Sequence, residues 1–133
     1  MEATMEKLSK SLEDYLEAIV VLGGTTEHSI RPSVIARSMG VSKTSVGKAL
    51  TALRERELVI QPYYGEVTLT EQGFAYGASI LERHRYLAIF LEKEIGLEKE
   101  VADREACLME HVMSSESFAK WMSYIEALNI IKD

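Results

Sequence analysis

The run Glu105-Ala106-Cys107-Leu108-Met109-Glu110-His111 sets a thiol, a carboxylate and an imidazole at positions i, i+3 and i+4. On an α-helix those offsets share one face, so Cys107, Glu110 and His111 would converge on one point in space. Thiolate, carboxylate and imidazole together form a ligand set for a divalent transition metal. Leu108 and Val112 are read as the apolar edge that presses this cluster toward the interior, where a carboxylate is costly unless a cation or hydrogen bonds offset its charge. A C-x-x-E-H run can equally be a helix edge with no chemical role. Three more ligand-type residues lie elsewhere in the chain. Asp14 and Glu17 stand three apart on the border of an apolar stripe, and His84 falls inside one. Each has an ordinary structural reading beside the chemical one. Acids near a helix N-terminus favour the helix dipole, and a histidine on an apolar face commonly bonds a backbone carbonyl.

The elements that must position these residues follow from periodicity. Leu8, Leu12, Tyr15, Leu16, Ile19 and Leu22 recur at helical spacing and predict a helix over residues 8–22, ended by Gly23-Gly24. Pro32-Ser33 opens a short helix closed by Gly40, Val41 plugs a tight turn, and Ser42 caps a second helix with Val46, Ala49, Leu50 and Leu53 on its inner face. Helix, glycine turn and helix at this spacing is a helix-turn-helix, whose second helix enters the DNA major groove by its N-terminal residues. Here those are Ser42, Lys43, Thr44, Ser45 and Lys48, with Arg31 nearby, all suited to phosphate oxygens and base edges. The β-prone runs 58–61 and 66–70, joined by Pro62-Tyr63-Tyr64-Gly65, predict a two-stranded wing whose tip carries no Lys or Arg. The remainder reads as helical: a segment from Thr70 to about Leu91, one from Glu98 to Val112, and one starting at Ser114-Ser115. On the last, Phe118, Trp121, Met122, Ile125 and Leu128 offer more apolar surface than one small core can cover. They predict a homodimer interface, the alternative being packing across their own domain. The expected fold is mainly α: a winged helix-turn-helix DNA-binding domain over residues 1–72, then an all-helical metal-binding and dimerisation domain over 73–133.

Composition sets the bounds. The chain has 133 residues, 47% hydrophobic and 27% charged, as in ordinary globular domains. No apolar run reaches the ~20 residues that span a bilayer, and the acidic start lacks a signal-peptide core, so no membrane role and a cytoplasmic location are expected. One cysteine excludes an internal disulfide and leaves Cys107 a buried thiol, a reactive thiol or a ligand. The net charge is −6, yet residues 31–62 hold Arg31, Arg37, Lys43, Lys48, Arg54 and Arg56 against Glu55 and Glu57, a local balance of +4. Positive charge gathered into one segment can face phosphates although the whole molecule is acidic. A solvated helix face is the alternative.

Taken together, Leu12-Glu13-Asp14-Tyr15-Leu16-Glu17-Ala18-Ile19, Val41-Ser42-Lys43-Thr44-Ser45-Val46, Glu82-Arg83-His84-Arg85 and the run 105–114 resemble the diphtheria toxin repressor family of metal-activated repressors over almost the whole chain. The resemblance implies a metal site made by Asp14, Glu17, His84, Cys107, Glu110 and His111. It also implies palindromic double-stranded operator DNA as partner, a homodimer, no organic substrate and no enzymatic activity. Asp14 and Glu17 follow the manganese-type pattern of that family, whereas cysteine at position 107 follows the iron-type one. The iron-type ancillary site is not reproduced, with Ala88 and Asp103 where it has a carboxylate and a histidine. The similarity is to the short manganese-type architecture without an SH3-like third domain. Mn²⁺ is therefore the expected ion, Fe²⁺ the alternative, with Co²⁺ or Zn²⁺ as substitutes. The expected output is repression of metal-uptake genes. Two rival readings are a winged-helix regulator sensing an organic ligand or an oxidant through Cys107, and a metallohydrolase built on the same cluster.

Overall fold

The computed structural model describes residues 7–131. It divides into two compact units, Met1–Ala78 and Ser79–Asp133. The first carries α1 (Lys10–Val21), α2 (Pro32–Met39), α3 (Lys43–Glu55), β1 (Val59–Ile60), β2 (Thr68–Leu69) and the start of α4 (Glu71–Lys93). The second carries the rest of α4, then α5 (Lys99–Val112) and α6 (Ser115–Ala127).

Local chemistry sets the boundaries in the first unit. Ser9 Oγ accepts from the Leu12 N–H at 3.2 Å and caps α1. Pro32 opens α2, where its missing N–H costs nothing, and Gly40 closes it in the left-handed region at φ 67°. Ser42 Oγ accepts from the Ser45 N–H at 3.0 Å and starts α3, as the sequence predicts. α2 and α3 bury Ile35, Val46, Leu50 and Leu53 against Leu16 and Ile19 of α1. Each such side chain contributes roughly 1.5–3 kcal/mol when fully buried.

The wing is shorter than predicted. β1 and β2 pair antiparallel through Val59↔Leu69 and Ile60↔Thr68 only, and a bridge between Ile30 and Val67 extends the ladder on the other side. The reason lies at the tip. Pro62 has no N–H to offer, and Tyr63 turns into the left-handed region at φ 51°. Arg54 donates to Gln61 Oε1 at 2.8 Å and Gln61 donates to the Gly65 carbonyl at 3.0 Å, tying the tip to the end of α3.

Thr70 Oγ1 accepts from the Gly73 N–H at 3.0 Å and so caps α4. At Gly73 the helix approaches the preceding chain so closely that a Cβ would stand 1.9 Å from the Leu58 carbonyl oxygen. Gly47 differs. It is exposed on α3, and a Cβ there would meet nothing within 4 Å.

In the second unit, Leu87 and Leu91 of α4 pack with Ala102 and Ala106 of α5 and Phe118 of α6, and Met109, Met113, Trp121 and Met122 close the edges. Arg83 holds α4 to α6, with its guanidinium 5.0 Å from the Phe118 ring centroid and Nη2 donating to Ser115 Oγ at 3.3 Å. Phe90 meets Trp121 edge to face at 5.7 Å. Among the described residues no helix is long and apolar enough to cross a membrane.

Candidate metal centre and nucleic-acid interface

Facing sides of α4 and α5 bring four of the six sequence-selected ligand residues together inside the second unit. Glu110 is 1% exposed. Its Oε2 stands 3.7 Å from Nδ1 of His84, and its Oε1 stands 3.3 Å from Nε2 of His111. Cys107 Sγ and a Glu110 oxygen each lie within 4.8 Å of a His111 ring nitrogen. Thiol, carboxylate and two imidazoles thus lie around Glu110 and His111, a donor set that fits a divalent transition metal. The helical offsets 107, 110 and 111 produce this convergence, as the sequence implies.

The edge that holds the cluster inside is not the one predicted. Leu108 is 56% and Val112 81% exposed. Burial falls instead on Ala102 and Ala106, with Met109 and Met113 packed beside them. Ala102 and Ala106, packed with Leu87 and Leu91 of α4, and not Leu108 or Val112, thus mark the face of α5 that turns inward with Glu110.

Asp14 and Glu17 belong to α1 in the first unit, where both are partly buried. Lys10 Nζ donates to Asp14 Oδ2 at 3.0 Å, one helical turn away. Their neighbour Glu13 was not singled out from sequence, although it is 3% exposed. Tyr76 of α4 donates to Glu13 Oε2 at 2.6 Å and accepts from the Leu8 N–H at 3.0 Å. Burial, and next the bond to Glu13, push the Tyr76 phenol up to about 12. A helical-phase signal was present, because Glu13 stands three residues before the core residue Leu16. Asp103 was noted only as a departure from a family pattern, yet its Oδ1 lies 3.3 Å from His84 Nε2.

On the DNA-binding side, Ser42, Lys43, Thr44, Ser45 and Lys48 are all exposed at the start of α3. Ser42 is occupied by its capping role, and its hydroxyl also donates to Ser45 Oγ at 3.0 Å. Lys43, Thr44 and Lys48 present their side chains outward. Arg31 Nε lies 3.8 Å from Glu66 Oε2, so its charge is shared with a carboxylate two residues before β2.

Of the predicted dimer residues, Phe118 and Ile125 are already buried in the single chain. Trp121, Met122 and Leu128 keep partial exposure, and Tyr124, 60% exposed, joins Trp121 around Phe90. The exposed apolar surface of α6 is therefore narrower than the sequence stripe and includes Tyr124.

A winged helix-turn-helix followed by a helical unit with a buried ligand cluster defines a class of metal-responsive DNA-binding regulators. Comparison with known proteins gives the family. Residues 7–67 match the iron-dependent repressor N-terminal DNA-binding domain, and residues 70–129 match the iron-dependent repressor metal-binding and dimerisation domain. The chain belongs to this family of metal-dependent transcriptional repressors, the diphtheria toxin repressor family, whose members are regulators and not enzymes. It is 32% identical over 120 residues to a helix-turn-helix-type transcriptional regulator of Methanocaldococcus jannaschii, spanning 90% of this chain and 95% of that one. It is 30% identical to the iron-dependent repressor IdeR of Mycobacterium bovis, over 84% of this chain and 48% of the relative. A solved manganese-dependent transcriptional repressor in complex with manganese superposes with a TM-score of 0.71 at 26% identity, covering 86% of this chain and 52% of the other.

Proposed function

We propose that this chain is a cytoplasmic, homodimeric repressor that senses Mn²⁺ and, when the ion is plentiful, binds a palindromic operator controlling metal-uptake genes. The observation that carries the reading is the carboxylate of Glu110, 1% exposed between the imidazoles of His84 and His111. A divalent ion held by Glu110, His84, His111 and Cys107 would add positive charge beside that buried carboxylate. Asp14 and Glu17 of α1 complete the set, by similarity to the family. Three of the six ligands are then carboxylates, which suits a hard ion such as Mn²⁺, whereas the Cys107 thiolate favours Fe²⁺ and leaves it the alternative.

The chain's own residues do the rest. By similarity to the family, Asp14, which here pairs with Lys10 at 3.0 Å, and Glu17 would be the donors that α1 contributes to the ion. α1 packs on α2 and α3 through Leu16 and Ile19, and α3 carries Lys43, Thr44 and Lys48 on its exposed start. With an ion held by these residues, the arrangement in which two copies of α3 match successive major grooves would be favoured.

The deciding experiment is an anaerobic operator-binding titration across Mn²⁺, Fe²⁺, Co²⁺ and Zn²⁺, read beside the metal-to-protein ratio. Tightened operator binding with Mn²⁺, lost in Glu110→Ala although that variant stays folded and dimeric, supports the reading. A Glu110→Ala variant that responds like the parent protein rules the centre out.

A further inference from the structure

We propose that Asp103 is a positioning residue of the metal centre: it accepts a hydrogen bond from Nε2 of His84 and so holds that imidazole with its Nδ1 lone pair turned inward toward Glu110. This rests on the metal-centre reading above and deepens it by assigning a residue outside the ligand set.

The two nitrogens of His84 meet different surroundings. Nε2 stands 3.3 Å from Asp103 Oδ1. An ionised carboxylate can only accept, so that contact is a hydrogen bond only when Nε2 carries the proton. Nδ1 is buried, makes no hydrogen bond, and stands 3.7 Å from Glu110 Oε2, beyond hydrogen-bond reach. A neutral imidazole carries one proton. Placed on Nδ1, it would set the bare Nε2 lone pair against a carboxylate and would occupy the atom that must bind an ion. Placed on Nε2, it satisfies Asp103 and leaves Nδ1 free to donate electrons.

Helical phase makes the arrangement possible. Asp103 precedes Cys107 by four residues and Glu110 by seven, so one face of α5 meets His84 from both sides. Exposure separates the two carboxylates. The Asp103 side chain is 55% exposed and borders, with His84, a cavity of about 240 Å³, whereas the Glu110 side chain is fully buried. A partner outside the ligand shell that fixes a histidine's tautomer and raises its basicity typically changes metal affinity 10–100-fold.

The test uses the full chain, ¹⁵N-labelled at histidine and freed of metal by chelator. Long-range ¹⁵N–¹H correlation spectra report the His84 tautomer, assigned by its disappearance in His84→Gln. Calorimetric titration with Mn²⁺ on the same samples reports affinity and stoichiometry. The parent protein is expected to show the Nε2–H form, Asp103→Ala a mixture or the Nδ1–H form with about 10–100-fold weaker Mn²⁺ binding. Asp103→Asn, whose amide oxygen still accepts, is expected to keep the tautomer and lose less affinity. An Nδ1–H parent, or Asp103→Ala binding Mn²⁺ within about twofold of the parent, overturns the proposal. Loss of a whole equivalent of metal in Asp103→Ala overturns it as well, since Asp103 would then be a ligand. A parent protein that shows the Nε2–H form yet binds no Mn²⁺ instead sinks the metal-centre reading, and the role of Asp103 there with it.

Discussion

Glu13 and Tyr76 show how a single contact acts at the residue level. Tyr76→Phe removes a hydrogen bond to a buried carboxylate, and a loss of about 1–3 kcal/mol in unfolding free energy is expected from urea titration at pH 8. The same pair predicts a pH dependence. The folded phenol keeps its proton up to about 12, against 10.0 for the ordinary group, so between these values the folded state binds more protons than the unfolded one. The stabilisation is complete below pH 10 and disappears as pH rises through 12. The stability gap between the parent protein and Tyr76→Phe should therefore shrink over that window, and a constant gap would rule out the phenol as its source. At this scale the sequence was readable where chemistry repeats at helical offsets, as for Cys107, Glu110 and His111. It was not readable where the partner is distant in the chain. No local pattern announces that Tyr76 meets Glu13 or that Asp103 meets His84.

Elements carry the next set of expectations. If the start of α3 faces phosphates, Lys43→Ala and Lys48→Ala should each weaken operator binding and reduce the slope of log K against log salt by about 1. A slope unchanged in both variants moves the footprint off this helix. Gly73 gives a test of packing. Its absent side chain lets α4 start against the Leu58 carbonyl, and Gly73→Ala would force backbone apart. A loss of about 1–3 kcal/mol, with a lowered melting temperature, is expected from such overpacking. The helix-turn-helix was legible because each boundary has a chemical marker: Pro32, Gly40, Ser42. The wing was legible in kind but not in length, because Pro62 and the left-handed Tyr63 cut the ladder before the β-prone residues ran out. The buried edge of α5 differs from the expected one for another reason. Leu108 and Val112 outrank alanine in hydrophobicity, yet it is Ala102 and Ala106 that pack with Leu87, Leu91 and Phe118.

For the whole molecule, metal and DNA must be coupled in both directions. Operator should raise Mn²⁺ affinity by the same factor by which Mn²⁺ raises operator affinity, with couplings of this kind typically ~5–150-fold. Equal Mn²⁺ affinity with and without operator, in a protein whose operator binding responds to Mn²⁺, would contradict the thermodynamic cycle and point to a second metal-dependent event. The acidic total charge of −6 conceals the basic segment 31–62, so composition alone would have misdirected this reading and local charge did not. Gly47 sits on the exposed face of α3. A bare α-carbon on the exposed face of α3 weakens that helix by about 1 kcal/mol relative to alanine, although the space beside it is open. Gly47→Ala should therefore raise the melting temperature, and if this face of α3 lies against DNA it should also weaken operator binding in a gel-shift titration. If both hold, durability and legibility of the genome pull against each other at that one carbon.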